Sequence, residues 1–331
     1  MKLRHRGQFL HLAAGAATLP TIPRRARAQN YPTRPGTIID AFAPGSTTDA
    51  VARIVGQHMS RTLGQQVLVE NVPGAGGIIG STRVMRAKPD GYTIQVGHIG
   101  THAFSVAFYP NLAFKPDVDF EPIGMVAEQP LLIVTRKDFP AKDLKEFITY
   151  AKTNAEKLNM AHAGVGSVTF TFGLLLNSLL SVKPTLVPFN GAAPAMAALV
   201  GGQVDYMCAP IQLAGPQVQS GTVKAYAIGT VERNALASNV PTSAEAGLPE
   251  FRAVYWIALF APKGTPQPIL DKLADALDRA LDDQSVRKRL LDVGDDIPSK
   301  AKRGQQPLAA LVKSEIARWT PIIKAANIKM D

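Results

Sequence analysis

Two stretches in the first hundred residues each run from an apolar strand pattern, through a glycine-bearing loop, into the start of a helix. In the first, residues 38–42 lead into Ala43-Pro44-Gly45-Ser46-Thr47-Thr48-Asp49, followed by Val51, Ile54, Val55 and Met59 at helical spacing. In the second, residues 67–71 lead into Val72-Pro73-Gly74-Ala75-Gly76-Gly77-Ile78-Ile79-Gly80. Strand–loop–helix units repeated in this way predict an α/β fold with a mostly parallel sheet and helices on both faces. They also predict a chemistry. The first N–H groups of a helix have no intrahelical partner and carry partial positive charge, so a loop without bulky side chains at that point suits a carboxylate or phosphate. Two such loops side by side suggest a small anion held mainly by backbone.

The alternation continues along the chain. Lys88-Pro89-Asp90-Gly91 is a turn signal before a strand at 92–96, and residues 130–135 are an unbroken apolar run, as expected of a strand buried on both faces. A helix is expected over 143–152, a strand over 158–162, a third glycine loop at Ala163-Gly164-Val165-Gly166-Ser167 and a helix over 168–180. A strand at 186–189, a turn at Asn190-Gly191, a helix over 192–200 stopped by Gly201-Gly202 and strands at 204–209 and 224–228 follow. Residues 241–249 read as loop, 253–260 as strand, and the last seventy as helical, including 268–281 and 307–326. The second set of glycine loops echoes the first, which fits two similar lobes facing each other across a cleft.

The N-terminus reads as a signal. Lys2, Arg4 and Arg6 precede a short apolar run at 9–19, and Ala26-Arg27-Ala28 offers a cleavage site before Gln29. The run falls short of the roughly 20 residues that span a bilayer. Residues 1–28 are therefore expected to be a cleaved export signal; Arg4-His5-Arg6 is similar to a degraded twin-arginine motif, so the Sec and twin-arginine routes both stay open. Without the six basic residues of this segment, 30 basic face 26 acidic residues, a net charge of +4 rather than +10. That balance, with no basic run interleaved with aromatics, gives no reason to expect a nucleic-acid partner.

Several chemistries lack their residues. The spacing at Gly74 to Gly80 is G-x-G-G-x-x-G, which puts Ile79 where a dinucleotide fingerprint needs its third glycine, and no acid stands about twenty residues on. His98 and His102 are four apart, but Gly97 and Gly100 argue against a helix there and no glutamate follows His98, so no metal site is expected. The lone Cys208 lies in an apolar strand pattern, and no G-x-S-x-G occurs. Neither a cofactor nor catalysis is expected. Among the polar residues of the loops, Asp49 either caps its helix or faces the cleft, with Arg53 placed to pair with it one turn later. Ser167 and Thr169 either donate to an anion or cap their own helix, and Asp205 has a buried hydrogen-bonding role as its default.

Taken in order, these motifs resemble the tripartite tricarboxylate transporter substrate-binding proteins, the Bug family of extracytoplasmic solute receptors. The likeness runs through Tyr31-Pro32-x-Arg34-Pro35, the Ala43 to Asp49 loop with Ala52-Arg53, Asn71-x-Pro73-Gly74-Ala75-Gly76-Gly77-x-x-Gly80, Lys88-Pro89-Asp90-Gly91-Tyr92 and Val187-Pro188-Phe189-Asn190-Gly191-Ala192-Ala193-Pro194-Ala195. It continues through Gly201-Gly202-Gln203-Val204-Asp205, Pro241-Thr242-x-x-Glu245-Ala246-Gly247-Leu248-Pro249 and Ala261-Pro262-x-Gly264-Thr265-Pro266. The resemblance implies a type II periplasmic binding-protein fold, with two α/β lobes joined by crossover strands near 130–135 and 253–260. One lobe would comprise 29–129 with 255–331, the other 130–254. The first would clamp a ligand carboxylate with Gly45, Ser46, Thr47, Asp49, Ala75, Gly76 and Gly77. The second would offer Gly166, Ser167, Thr169, Asn190, Ala192 and Asp205. The family usually has two glycines at the position of Gly45-Ser46 and a histidine where Phe170 aligns; an aromatic there would favour a ligand with an apolar or aromatic body.

The expectation is a monomeric periplasmic protein that captures a small carboxylate, whether a di- or tricarboxylate, an acidic amino acid or an aromatic acid, and delivers it to membrane permease subunits of such a transporter. A ligand-sensing receptor for a sensor kinase needs the same pocket. A periplasmic enzyme acting on a carboxylate is a weaker reading, for want of a nucleophile, metal set or cofactor motif.

Overall fold

A computed structural model describes residues 31–326, so the expected signal at 1–28 lies outside the described residues. In chain order the elements are β1 (Gly36–Asp40), α1 (Thr47–Leu63), β2 (Val67–Asn71), α2 (Ile78–Met85), β3 (Thr93–His98), a π-helical turn (Gly100–Phe104) running into α3 (Ser105–Phe108), and β4 (Phe120–Arg136). Then come α4 (Leu144–Asn154), β5 (Asn159–His162), α5 (Val168–Leu180), β6 (Thr185–Pro188), α6 (Ala192–Val200), β7 (Tyr206–Pro210), α7 (Ile211–Gln219) and β8 (Val223–Ile228). The chain closes with β9 (Val254–Pro262), α8 (Gln267–Asp282), α9 (Gln284–Asp292) and α10 (Gln305–Ala325). None of the described helices is long and apolar enough to cross a membrane.

The strands form one sheet in the order β2-β1-β3-β9-β4-β7-β5-β6, with β8 also on β4. The expected mostly parallel sheet is corrected to a mixed one. Parallel pairing joins β1 to β2 and β3, and β5 to β6 and β7, whereas β9 and β4 run antiparallel to every partner. The antiparallel strands are the ones that link the two sheet halves. β4 pairs with β9 from Phe120 to Pro130, then with β7 and β8 from Leu131 to Arg136. Partners change where Pro130 has no N–H to give. The chain returns at Ala253, whose N–H reaches the Gly229 carbonyl (3.1 Å) and whose own carbonyl accepts from Leu131 (3.0 Å).

Local chemistry explains the elements that place the loops. In α1 the Ser46 hydroxyl caps Asp49 N–H (3.2 Å), Val51, Ile54, Val55 and Met59 face the core, and Gly64 ends the helix in a left-handed turn. α5 starts in the same way, with Ser167 Oγ accepting from Phe170 N–H (3.2 Å). Ile38 and Ile39 in β1 and Leu131, Leu132, Ile133 and Val134 in β4 are fully buried, as expected of strands covered on both faces.

Two further expectations are refined. The strand expected at 130–135 is the end of a longer one, since β4 starts ten residues earlier and takes up Pro122 and Gly124 through register shifts. His98 ends β3, so no helix carries both histidines, although a π-helical turn begins at Gly100 and contains His102. Gly97 and Gly100 make room for imidazoles. A Cβ on Gly97 would fall 2.4 Å from the His102 ring, and one on Gly100 2.5 Å from the His98 ring.

Candidate functional site

The first loop is organised by two aspartates. Asp40, at the end of β1, is fully buried and accepts from Thr48 Oγ1 (2.8 Å), Ser46 Oγ (3.2 Å) and Phe42 N–H (3.2 Å). Burial outweighs these hydrogen bonds and pushes its carboxyl up to about 6. Asp49 accepts from Gly45 N–H (2.9 Å), Arg53 Nε (3.0 Å) and Asn71 Nδ2 (3.0 Å). Burial raises its pKa, but hydrogen bonds from Arg53, Gly45 and Asn71 together hold it below the usual carboxylate range. Arg53 also donates to Asn71 Oδ1 (3.1 Å), so this carboxylate ties the first loop to the second.

The second loop turns through four consecutive positive φ angles, Gly74 at 138°, Ala75 at 46°, Gly76 at 61° and Gly77 at 94°. Only glycine takes such angles without cost, and Ala75 bears that strain. The turn brings Gly76 to the surface of a cleft. A side chain there would collide with Tyr109, whose hydroxyl donates to the Ala75 carbonyl (3.2 Å) and holds the loop from the far side.

Across the cleft, Ser167 Oγ donates to the Gly164 carbonyl (2.7 Å), and Thr169 Oγ1 accepts from Ala163 N–H (2.8 Å). At α6 the cap is Gly191, which supplies no side-chain hydrogen bond, so the first N–H groups of that helix are left for another acceptor. Ala192 and Ala193 present them to the cleft.

The cleft has a volume of about 510 Å³, and it gathers Ser46, Thr47 and Gly76 from one side with Gly166, Ser167, Thr169 and Ala192 from the other. The remaining expected residues lie outside its lining. Gly45 has committed its N–H to Asp49, and Asp49 is engaged by Arg53 and Asn71, which corrects the reading in which it faces the cleft. Ala75 and Gly77 flank the exposed tip of their loop, and Asn190 points to solvent. Phe170 is 1% exposed, packed against His162 (4.7 Å between ring centroids) and behind Phe108 (6.2 Å). Asp205 stands just before β7, whereas the cleft touches that strand at its other end, Pro210; its carboxylate pairs with Arg136 Nε (3.0 Å) and accepts from Asn159 N–H (2.8 Å).

Sequence reasoning missed the floor and one wall. Gln129 of β4 and Tyr255 of β9 are direct partners across the strand pair and both line the cleft, as do His98, Phe108 and Tyr109 from the π-turn region and Gln212 of α7. Burial drives His98 down to about 3, so the ring is neutral. Its Nδ1 accepts from Gly100 N–H (2.8 Å), which puts the ring proton on Nε2. The Gln212 Oε1 is buried without a hydrogen-bond partner among the described residues.

None of the residues lining the cleft is Asp, Glu, Lys or Arg. Ser46, Thr48, Ser105, Tyr109 and Ser167 donate their hydroxyl hydrogens within the protein, so the donors open to a ligand are the Thr47 and Tyr255 hydroxyls, a neutral imidazole and backbone N–H groups at the starts of α1, α5 and α6. Such a surface can bind an anion from both sides without placing a counter-charge beside it. Cys208 is buried in β7, and burial pushes its thiol well above the ordinary range. Among the described residues, no group of three or more His, Cys, Asp or Glu could hold a metal ion.

This architecture has close counterparts. Residues 51–328 match the model of the tripartite tricarboxylate transporter family receptor. A protein of Agrobacterium vitis, "UPF0065 protein in the TAR-I ttuE-ttuC' intergenic region", is 41% identical over 97% of this chain and 92% of its own length. Among solved structures, MatC of Rhodopseudomonas palustris with bound malate is 50% identical, with a TM-score of 0.76 over 88% of this chain and 100% of that one. The periplasmic binding protein BugD is 39% identical, with a TM-score of 0.75 over 91% of this chain and 100% of that one. On these matches and its two-lobed α/β fold, the chain belongs to the tripartite tricarboxylate transporter family of receptors, the Bug family.

Proposed function

We propose that this protein is a periplasmic receptor that captures a short dicarboxylate between its lobes and delivers it to the membrane permease subunits of a tripartite tricarboxylate-type transporter. The observation that carries this reading is the uncharged cleft with helix starts on both sides: Thr47 of α1 faces Ser167 and Thr169 at α5 and Ala192 of α6. Two opposed sets of backbone N–H donors, joined on one wall by the Thr47 hydroxyl, match two carboxylates on a short linker. With no acid in the lining, nothing would neutralise the ammonium of an amino acid. The malate bound to MatC, a relative half identical in sequence, supports the same class.

In this reading one carboxylate sits on Ser46, Thr47 and Gly76, and the other on Gly166, Ser167, Thr169 and Ala192. Among the described residues, 31–129 with 255–326 form one moving body and 130–254 the other, hinged where β4 changes partners. Ligand contacts to both bodies favour the closed form, which the permease recognises. Thermal shift on refolded, ligand-free protein tests it. A ligand that binds only the native state at a hundredfold excess over Kd adds about 2.7 kcal/mol of stability. Malate and succinate are expected to raise the melting temperature and aspartate to leave it unchanged; a shift with aspartate and none with dicarboxylates overturns the assignment.

A further inference from the structure

The ribbon formed by β4 and β9 has two faces, and the cleft uses one of them. Gln129 and Tyr255 point into the cleft, while their neighbours Glu128, Val254 and Trp256 alternate to the opposite face. There they line a second groove of about 710 Å³, walled by Arg252 from the chain entering β9, by Arg287 of α9 and by Arg318 of α10. Arg318 Nη2 donates to the Arg252 carbonyl (2.8 Å), so the two stand side by side.

Two buried donors of residues lining this groove have no acceptor among the described residues. Trp256 is only 2% exposed, and its indole Nε1 has no hydrogen-bond partner among the described residues. Arg252 Nη1 is buried in the same condition. Buried donors without acceptors are rare in folded proteins and call for an explanation. Three of the four acids lining the groove are already engaged, Glu128 by Lys302 (2.8 Å), Asp296 by Asn234 (2.8 Å) and Glu315 by Trp319 Nε1 (2.8 Å), while Glu232 is exposed to solvent. Arg287 donates to the Leu281 carbonyl (3.1 Å), and neither it nor Arg252 makes an ion pair among the described residues.

We propose that this groove is a second binding site, for a small molecule bearing a carboxylate or phosphate group. The oxyanion accepts from Arg252 and from the Trp256 indole, and Arg287 adds positive charge; planar guanidinium donors suit either group. Since Arg252 precedes β9 and Arg287 follows it on a separate helix, an anion held by both fastens the back of the ribbon close to the point where β4 changes partners.

The two tryptophans of the chain make the test direct. In the 15N-labelled protein each gives one indole N–H resonance, and the Trp256 peak is the one lost in Trp256→Phe. Citrate and inorganic phosphate are titrated separately at constant ionic strength, with malate present throughout to occupy the cleft. The proposal predicts a saturable shift of the Trp256 peak with at least one probe, while the Trp319 peak, already bonded to Glu315, stays in place. The probe that saturates identifies the oxyanion as carboxylate or phosphate. Arg252→Gln and Arg287→Gln, with the Trp319 peak reporting an intact fold, each weaken the response about tenfold or more. A shift that rises linearly with salt means an adventitious ion only and overturns the proposal, as does a saturable shift that neither substitution weakens.

Discussion

Arg53 grips Asp49 from one helical turn away, with its Nε 3.0 Å from both carboxylate oxygens, and Asn71, at the end of β2 where the second loop begins, joins the pair. The ion pair is thus a fastening between the two loops that shape one wall of the cleft. Its consequence is structural first. Asp49→Ala removes the acceptor for Gly45 N–H and one acceptor of Asn71 Nδ2, which keeps the Phe42 carbonyl (3.1 Å) and Asp40 Oδ2 (3.3 Å). It is expected to cost about 1–3 kcal/mol in urea unfolding and to weaken ligand binding through the loosened loops. Unchanged stability and affinity would show that the loops hold without it.

Gly76 allows no side chain. A Cβ would lie 2.6 Å from the Tyr109 hydroxyl, at a φ of 61°. Gly76→Ala is expected to weaken dicarboxylate binding by about tenfold or more, measured by calorimetry. Tyr109→Phe in the same chain removes the clash and is expected to restore part of the loss. Wild-type affinity in the single variant contradicts this account of the loop.

Phe170 is a packing residue by position. Buried behind Phe108 and His162, it contributes volume to the core and does not reach the cleft. Phe170→Leu is expected to cost roughly 1–3 kcal/mol of stability and to leave the ranking of ligands unchanged. A switch in preference between aromatic and aliphatic acids would restore the role that the sequence suggested for it.

Asp295 predicts a pH dependence. It is fully buried, bonded to Gln129 Nε2 (2.9 Å) through one oxygen, and burial pushes its carboxyl up to about 7. Between the unfolded carboxylate value and about 7 the native state binds this proton and the unfolded state does not. Stability from this group is therefore present at low pH and lost as pH rises through about 7, with a slope of up to about 1.4 kcal/mol per unit. His98 and His102, driven down to about 3 by burial, act in the opposite sense. The test is consequently the difference between Asp295→Asn and wild type: the variant gains on the wild type as pH rises from 4 to 7. Parallel stability–pH curves would refute the assignment.

What the sequence makes legible here is local. Helices α1, α5 and α6 announce themselves through Ser46, Ser167 and the Asn190-Gly191 turn, each followed by an apolar stripe, and α5 and α6 occupy the residues expected of them. What it hides depends on distant partners. Gln129 and Tyr255 meet only because β4 and β9 pair in one register, and no spacing along the chain encodes that. Helix α7, which carries Gln212, has Pro216 in its interior, and no element is expected from the sequence between the strands at 204–209 and 224–228. Asp205 follows a glycine pair as the loop residues do, yet it precedes its strand and so lies at the wrong end of it.

The central claim is that an uncharged cleft binds a dianion through donors on both of its walls. Calorimetric titration of ligand-free protein with malate, succinate and aspartate tests it most directly, in the wild type and in Ser167→Ala. The account predicts saturable one-to-one binding of both dicarboxylates, weakened by about tenfold in the variant, and no heat of binding with aspartate. Tight aspartate binding, or dicarboxylate binding indifferent to the loss of the Ser167 hydroxyl, would contradict it.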